Sequence, residues 1–384
     1  MSITRSTTTT TPQAGVKLPG RGRFRGLDPV LIAAALALTG FGIFAVYTSG
    51  VENGPYYATN QAAGLVAGVA LAVPLALMDY RRLKGFAEWL FGAAIAMLLA
   101  VAFFGTTING AKSWIELGPF QVQPSEFAKL LMIVVLAKYL SDNPPDSWGT
   151  FLKALGIMML PTLLVFTQPD LGTALVFGAV FVAMVFVGGA RLWHLGTLFG
   201  AGIAAFVVAL KFNILHEYQI QRLTAFLQPE LSTDLSYQVL QSKIAVGSGG
   251  LLGKGLEANT LANLGFLPED HTDFIFSNLA ERTGFVGSMI VLALFFILIW
   301  RILRIGTVAR DKFGVLVAVG VSTMFVFQVF VNIGMALGMM PVTGLPLPLV
   351  SYGRSSLIMS VMSIGLLLSI AMRSKAGGAR HSDL

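Results

Sequence analysis

Ten stretches of this chain are each long and apolar enough to cross a bilayer, and they leave little else to fold. An α-helix rises about 1.5 Å per residue, so roughly 20 apolar residues cover the hydrocarbon core. At that length the spans fall near 28–49, 58–79, 86–105, 124–141, 150–167, 171–189, 192–211, 274–300, 313–338 and 350–372. The boundary between the fifth and sixth is the least marked, because only a short turn separates them. Charged residues are 12% of the 384, about half the share of a soluble domain. Mean hydropathy is +0.75. The expectation is an all-α, polytopic membrane protein with ten transmembrane helices.

Loop charges orient the spans. Arg81, Arg82 and Lys84 follow the second span, Lys138 and Lys153 flank the loop after the fourth, and Arg191 follows the sixth. Arg301, Arg304, Arg310 and Lys312 follow the eighth, and Arg373, Lys375 and Arg380 follow the last. The short connections 50–57 and 338–349 carry neither Lys nor Arg. By the positive-inside rule both termini are cytoplasmic, and two longer segments, 106–123 and 212–272, face outward. The polar segment 1–26 lacks an apolar core followed by a cleavage site, so it reads as a disordered cytoplasmic tail rather than a signal peptide. A second cytoplasmic tail covers 373–384, and the membrane domain covers 27–372. Topology accounts for many of the basic residues behind the net charge of +7, so the chain offers no basic face for nucleic acid. Without cysteine it has neither disulfides nor thiolate metal sites.

The informative polar residues gather on the outer side. Glu269, Asp270, His271 and Asp273 crowd within five positions where the long outer segment meets the eighth span. Thr272 or Asp273 suits a helix N-cap, but one cap needs one acid. The cluster also suits a general base, or oxygen ligands for a divalent cation such as Mg or Mn. Glu126 and Lys129 are three apart, on one face of the fourth span just after Pro124. Packing and function account equally well for that pair. Asp170, within Gln168-Pro169-Asp170-Leu171-Gly172-Thr173, reads as turn and helix cap. The Gly-rich run from Gly247 to Gly255 resembles a phosphate loop only superficially, since no Ser or Thr follows Lys254 and no strand precedes it. It reads as a flexible loop or as backbone that approaches a lipid diphosphate. Pro341, Gly344, Pro346 and Pro348 break the backbone before the last span, and such breaks are tolerated where they line an enclosed cavity. A Pro-rich loop outside the bilayer is the other reading.

Several of these motifs, in order, resemble the SEDS family (shape, elongation, division and sporulation), most closely its RodA branch. They are Gln-Pro-Ser-Glu at 123–126, Gln-Pro-Asp-Leu-Gly-Thr at 168–173, Gln241-Ser242-Lys243 through Gly255, Leu-Pro-Glu-x-His-Thr-Asp-Phe at 267–274, and Pro-Val-Thr-Gly-x-Pro at 341–346. The resemblance implies the ten-helix fold. It also implies polymerisation of lipid II into peptidoglycan strands on the outer face of the bacterial cytoplasmic membrane, for elongation and rod shape. The family's essential acid falls on Asp273. The α-linked donor and β-1,4 product imply inversion in one displacement, with Asp273 as base for the acceptor hydroxyl. The expected substrate-binding set is Lys112, Glu126, Lys129, Arg222, Gln241, Lys243, His271, Thr272 and Ser351. Of these, Lys112, Lys129, Arg222 and Lys243 are the cations for the leaving diphosphate. No cofactor is required outright.

Expected partners are lipid II, the undecaprenyl-diphosphate-linked glycan, a class B penicillin-binding protein docked on the eighth and ninth spans, and other elongation-complex proteins. A division-specific, FtsW-like polymerase and a lipid II flippase are the competing readings. Transport would need polar groups through the membrane depth, and here they concentrate on one side. Two departures from the family stand out: Arg354 replaces the second Gly of Ser-Tyr-Gly-Gly-Ser-Ser, and Arg282 follows Ala280-Glu281 where a second Glu is usual. Arg354 is expected at the cavity mouth, binding diphosphate or an acid such as Glu281.

Overall fold

The computed structural model describes residues 26–49, 54–108, 111–118, 120–212, 217–228, 234–255, 260–261 and 264–375. The segment expected to be a disordered N-terminal tail lies outside them apart from Gly26, and so do residues 376–384 of the C-terminal tail. Helices dominate. In chain order they are α1 (Pro29–Tyr47), α2 (Gly54–Leu77), the short α3 (Arg82–Gly85) and α4 (Ala87–Phe104). After a small sheet come α5 (Pro124–Asp142), α6 (Trp148–Thr167), α7 (Leu171–Gly188) and α8 (Leu192–Lys211). The last are α9 (Glu217–Leu227), α10 (Asp234–Ser248), α11 (Ile275–Val308), α12 (Lys312–Ala336) and α13 (Arg354–Lys375).

Among the described residues nine helices are long and apolar enough to cross a membrane. The expected fourth span is α5, which Glu126, Lys129 and Lys138 make too charged for that class. Its burial explains how it tolerates them: Glu126 and Lys129 are both 1% exposed. With α5 the bundle has the expected ten spans, and 171–189, the least certain boundary, matches α7.

Helix ends follow local chemistry. Pro29 opens α1, and Asp28 accepts from the Leu31 N–H at 3.1 Å. Asp28 is in turn held by Arg301 of α11. Asp170 caps α7, accepting from the Thr173 N–H at 2.9 Å. Small residues set the closest helix pair. Gly64, Gly68, Ala72 and Ala76 recur every four residues on the buried face of α2. On α13, a Cβ added at Gly365 would stand 2.6 Å from the Ala72 carbonyl oxygen. Lipid offers no hydrophobic drive between helices, so contact of this kind is what holds them. By contrast α8 buries only His194.

Two of the longer connecting segments depart from plain loop. The segment 106–123 is a three-stranded antiparallel sheet, β1 (Thr106–Ile108), β2 (Ala111–Leu117) and β3 (Phe120–Val122), in the order β1-β2-β3. The long segment 212–272 contains α9 and α10. Ser242 of α10 hydrogen-bonds the Ser277 hydroxyl at 2.6 Å and donates to the Ala336 carbonyl at 2.7 Å, tying α10 to α11 and α12.

The Gly-rich run is neither a loose loop nor part of the cavity lining. It docks into α11, whose helix breaks at Gly284 (φ 67°, ψ −163°). Four backbone hydrogen bonds join the segments, from Lys254 N to Glu281 O (2.9 Å), Gly255 N to Arg282 O (3.0 Å), Phe285 N to Gly250 O (2.9 Å) and Val286 N to Leu251 O (3.1 Å). The break frees polar backbone groups, and the glycine run satisfies them. Glycine is required by approach: a Cβ at Gly253 would lie 2.1 Å from the Arg282 carbonyl oxygen.

Candidate functional site

Helix ends α2, α5, α7, α11 and α13 converge on one side of the bundle around a cavity of about 500 Å³. The small sheet supplies Ser113, Trp114 and Gln121 to its wall, and α9 supplies Arg222. The loop before α11 supplies Glu269, His271, Thr272 and Asp273. The broken segment before α13 supplies Thr343, Gly344 and Pro346, then Tyr352 to Ser356. That segment is packed rather than loose, since Val342, Leu345, Leu347 and Leu349 are all buried. It therefore lines the cavity, as in the first of the two readings of this Pro-rich stretch, although the cavity is partly open.

The acid-bearing loop is held by its backbone, which leaves its side chains for the cavity. Asn332 of α12 donates to the Asp273 carbonyl at 3.0 Å and to the Leu345 carbonyl at 2.8 Å. The Ser351 hydroxyl donates to the Thr272 carbonyl at 2.7 Å, and the Tyr352 N–H to the His271 carbonyl at 2.9 Å. Residue 274, not Asp273, takes the N-cap position of α11, and no side chain caps it. Asp273 is thus released from the structural role that competed for it.

Its electrostatics suit a base. Burial pushes the Asp273 carboxyl up to about 6 from 3.8, and the neighbouring Glu269 charge adds to the shift, while Arg222 and His271 oppose it. Asp273 and Arg222 face each other across Gly344. A Cβ there would stand 3.7 Å from both Asp273 Oδ2 and Arg222 Nη1. With φ at +75°, the position favours glycine.

Of the residues expected to bind substrate, Arg222, His271 and Thr272 line the cavity with Asp273. The others do not. Lys112 donates to the Ala102 carbonyl at 2.7 Å, reaching back to the end of α4. Lys243 lies against the C-terminal turn of α12, its Nζ 2.6 Å from the Cβ that Gly338 lacks. Gln241 is part-exposed on α10, next to Ser242. Ser351 is buried behind the wall as a backbone clamp. Glu126 and Lys129 form an ion pair at 2.7 Å inside the bundle rather than at the rim. They adjoin the wall through Ser125, which donates to Asp170 at 3.1 Å. Asp170 both caps α7 and lines the cavity, a second role that turn chemistry alone did not reveal.

The acids do not gather into a metal cage. Thr272 donates to Glu269 Oε2 at 2.7 Å, and Asp270 faces the His271 Nδ1 at 3.2 Å. Among the described residues no three His, Asp or Glu side chains converge as ligands. Arg354 lines the cavity as expected, but Glu281 is committed elsewhere. It accepts from Lys254 at 2.5 Å and from the Leu261 N–H at 3.0 Å, behind the docked glycine run. Arg282 is also structural: it donates to the Thr48 carbonyl at the end of α1 and to Asn278 at 2.9 Å. Tyr57 and Tyr352 complete the wall. Neither was singled out in the sequence, because they lie 295 positions apart and only the fold brings them together.

The chain is similar in sequence and fold to known proteins. The chain is 40% identical over 348 residues to the peptidoglycan glycosyltransferase MrdB of Escherichia coli K12, covering 90% of this chain and 93% of that one. A solved structure described as coordinating polymerization and crosslinking in a peptidoglycan synthase complex superposes with a TM-score of 0.77. It is 33% identical and covers 91% of this chain and 98% of its own. The crystal structure of the rod-shape-determining protein RodA of Thermus thermophilus superposes at 0.68, with 33% identity, over 91% of this chain and 97% of that one. The family described as cell cycle proteins FtsW, RodA and SpoVE matches residues 29–376, and the chain belongs to it.

Proposed function

We propose that this chain is a peptidoglycan glycosyltransferase that joins lipid II disaccharides into β-1,4 glycan strands at the outer face of the cytoplasmic membrane. The observation that carries the reading is the cavity in which Asp273 and Arg222 face one another across Gly344, in a chain 40% identical to a named peptidoglycan glycosyltransferase. Asp273 accepts the proton of the acceptor 4-hydroxyl as that oxygen bonds to the donor's anomeric carbon. The bond from that carbon to the diphosphate breaks on the opposite face, and the electron pair leaves on the phosphate oxygen. Arg222 and Arg354, in the same cavity, stabilise the charge that develops there. Lys112, Lys129 and Lys243 have no place in that step.

The face of the bundle bearing Arg81, Lys84, Arg304 and Arg373 lies opposite the cavity, which supports cytoplasmic termini and a cavity that opens outward. The partner is a class B penicillin-binding protein, supported by the likeness to a peptidoglycan synthase complex. The reading is tested by incubating the purified chain with lipid II, with and without that partner. Asp273→Asn is expected to insert and fold normally and to lose roughly 10²–10⁴ in rate. Polymerisation at the wild-type rate by Asp273→Asn removes Asp273 as the base.

A further inference from the structure

Three aromatic rings make one wall of the cavity, and nothing in the transfer step so far uses them. His271 lies flat on Tyr57, with ring centroids 4.6 Å apart and planes within 6°. Tyr352 leans against both, at 4.9 Å from Tyr57 and 5.6 Å from His271. The rings come from three separate parts of the chain: the first turn of α2, the loop before α11, and the segment before α13. They are fixed to one another through backbone. The Tyr352 N–H donates to the His271 carbonyl, and Gln61, one turn beyond Tyr57, donates to the Ser351 carbonyl at 2.9 Å and accepts from the Gly353 N–H at 3.2 Å.

Packing does not account for the trio. Core aromatics such as Phe274 and Phe325 are fully buried, whereas these three are only part-buried and border open space. Nor are they an interfacial belt, which faces lipid. Tyr56 fits that role, at 64% exposed, while the next residue, Tyr57, turns inward to the cavity. The rest of the lining is largely charged or polar, with Asp170, Glu269 and Asp273 as acids and Arg222 and Arg354 as bases. His271 and Tyr57 cover one another's inner faces, and Tyr352 is tilted by 53° and 52° to them. The cluster so offers ring edges and an outer ring face, and aromatic carbon surface of that kind among carboxylates suits one face of a pyranose. The ring C–H groups of one sugar face lie on the aromatic surface, and the hydroxyls at the edge reach acceptors. A diphosphate would go to the arginines instead.

We propose that Tyr57, His271 and Tyr352 form a stacking platform for a hexosamine ring of the acceptor glycan, and that this platform sets which hydroxyl meets Asp273. The assignment to the acceptor follows from connectivity, because the platform's His271 sits two residues before Asp273 on one braced loop. It rests on the glycosyltransferase reading above.

The test is steady-state polymerisation of lipid II by the full-length purified chain, with melting temperature measured in parallel. Tyr57→Leu and Tyr352→Leu are expected to raise KM about tenfold with a smaller effect on kcat and an unchanged melting temperature, as loss of stacking area predicts. Tyr57→Phe, which keeps the ring, should recover most of that loss. Tyr56→Leu, outside the cavity, should behave as wild type. Unchanged KM in both Leu variants overturns the platform, as does a Tyr57→Phe variant as impaired as Tyr57→Leu. A fall in melting temperature that tracks the loss of activity in both Leu variants makes the rings structural and also overturns it. These failures are distinct from failure of the glycosyltransferase reading, in which the wild-type chain itself would make no glycan.

Discussion

Asp273 combines two properties: it sits on a loop whose backbone is braced at His271, Thr272 and Asp273, and its side chain does not cap α11. Because burial and Glu269 hold its carboxyl up at about 6, the ionised fraction changes across pH 5 to 7 rather than near 4. A base must be ionised, so the polymerisation rate should fall as pH drops through about 6, with a midpoint well above an ordinary aspartate's. The stability effect has the opposite sign. A carboxyl whose folded pKa is raised binds its proton more tightly in the folded chain, so protonation favours folding. Rate is therefore expected to drop between pH 7 and 5 without a matching drop in melting temperature from this group. A midpoint near 4 in the rate profile would contradict the assignment. Arg354 is the second residue whose chemistry can be isolated. It stands against Gly64 of α2, with Cγ 3.3 Å from the missing Cβ, which directs it along the cavity edge. Arg354→Gly is expected to weaken inhibition by undecaprenyl diphosphate roughly tenfold or more, the scale of a charge-assisted hydrogen bond, with little effect on folding. Equal inhibition of both proteins would make Arg354 a bystander.

The most consequential packing between elements is the docking of the glycine run into the break of α11. The break at Gly284 leaves backbone groups that lipid cannot satisfy, and the run from Gly249 to Gly255 supplies partners at a range only glycine permits. Gly253→Ala would force a Cβ to 2.1 Å from a carbonyl oxygen at a backbone φ of +81°. It should cost at least about 1–3 kcal/mol from strain alone. Gly247→Ala, where a Cβ meets nothing within 4 Å, is the control and should leave melting unchanged. Comparable melting of the two variants would mean that the docked arrangement does not persist. The Glu126–Lys129 pair acts at the same scale. Both side chains are at most 2% exposed, so each compensates a charge that the interior of α5 would otherwise not tolerate. Its place behind Ser125 and Asp170 makes it a support of the cavity wall rather than part of the lining.

For the molecule as a whole, the decisive property is the separation of its two ends. The cavity and its acids occupy one end. The other holds Arg81 with Asp311 at 2.7 Å and Lys84 with Asp142 at 2.6 Å. Asp311 stays below the ordinary carboxylate range: burial pushes it up, but the Gly314 N–H, the Tyr80 hydroxyl and Arg81 outweigh that. The chain has no cysteine, so its orientation can be read directly by introducing one. A thiol at the exposed Glu116 (Glu116→Cys) should react with a membrane-impermeant reagent on intact spheroplasts. A thiol at Arg304 (Arg304→Cys) should react only after permeabilisation. The reverse pattern would invert the topology and place the cavity on the wrong side for an outer-face polymerase.

The spans, their order and the gathering of the acids toward one end of the bundle were legible in the sequence, because hydrophobic length and loop polarity act locally and add along the chain. Asp273 drew attention through the motif it sits in, and Arg222, which lies outside every such motif, joins it in the cavity lining. What the linear reading could not resolve was partnership. Lys112, Lys243 and Ser351 have the right chemistry for a substrate site, yet Lys112 is held by the nearby end of α4, and Lys243 and Ser351 lie against backbone far away in sequence. The glycines at 249–255 were ambiguous between looseness and close approach until the broken helix they fill was in place. Tyr57 and Tyr352 are almost 300 positions apart, and only the packing of α2 along α13 makes them neighbours. Burial and long-range contact are properties of the assembled bundle, and they alone decide which of several suitable side chains face the cavity.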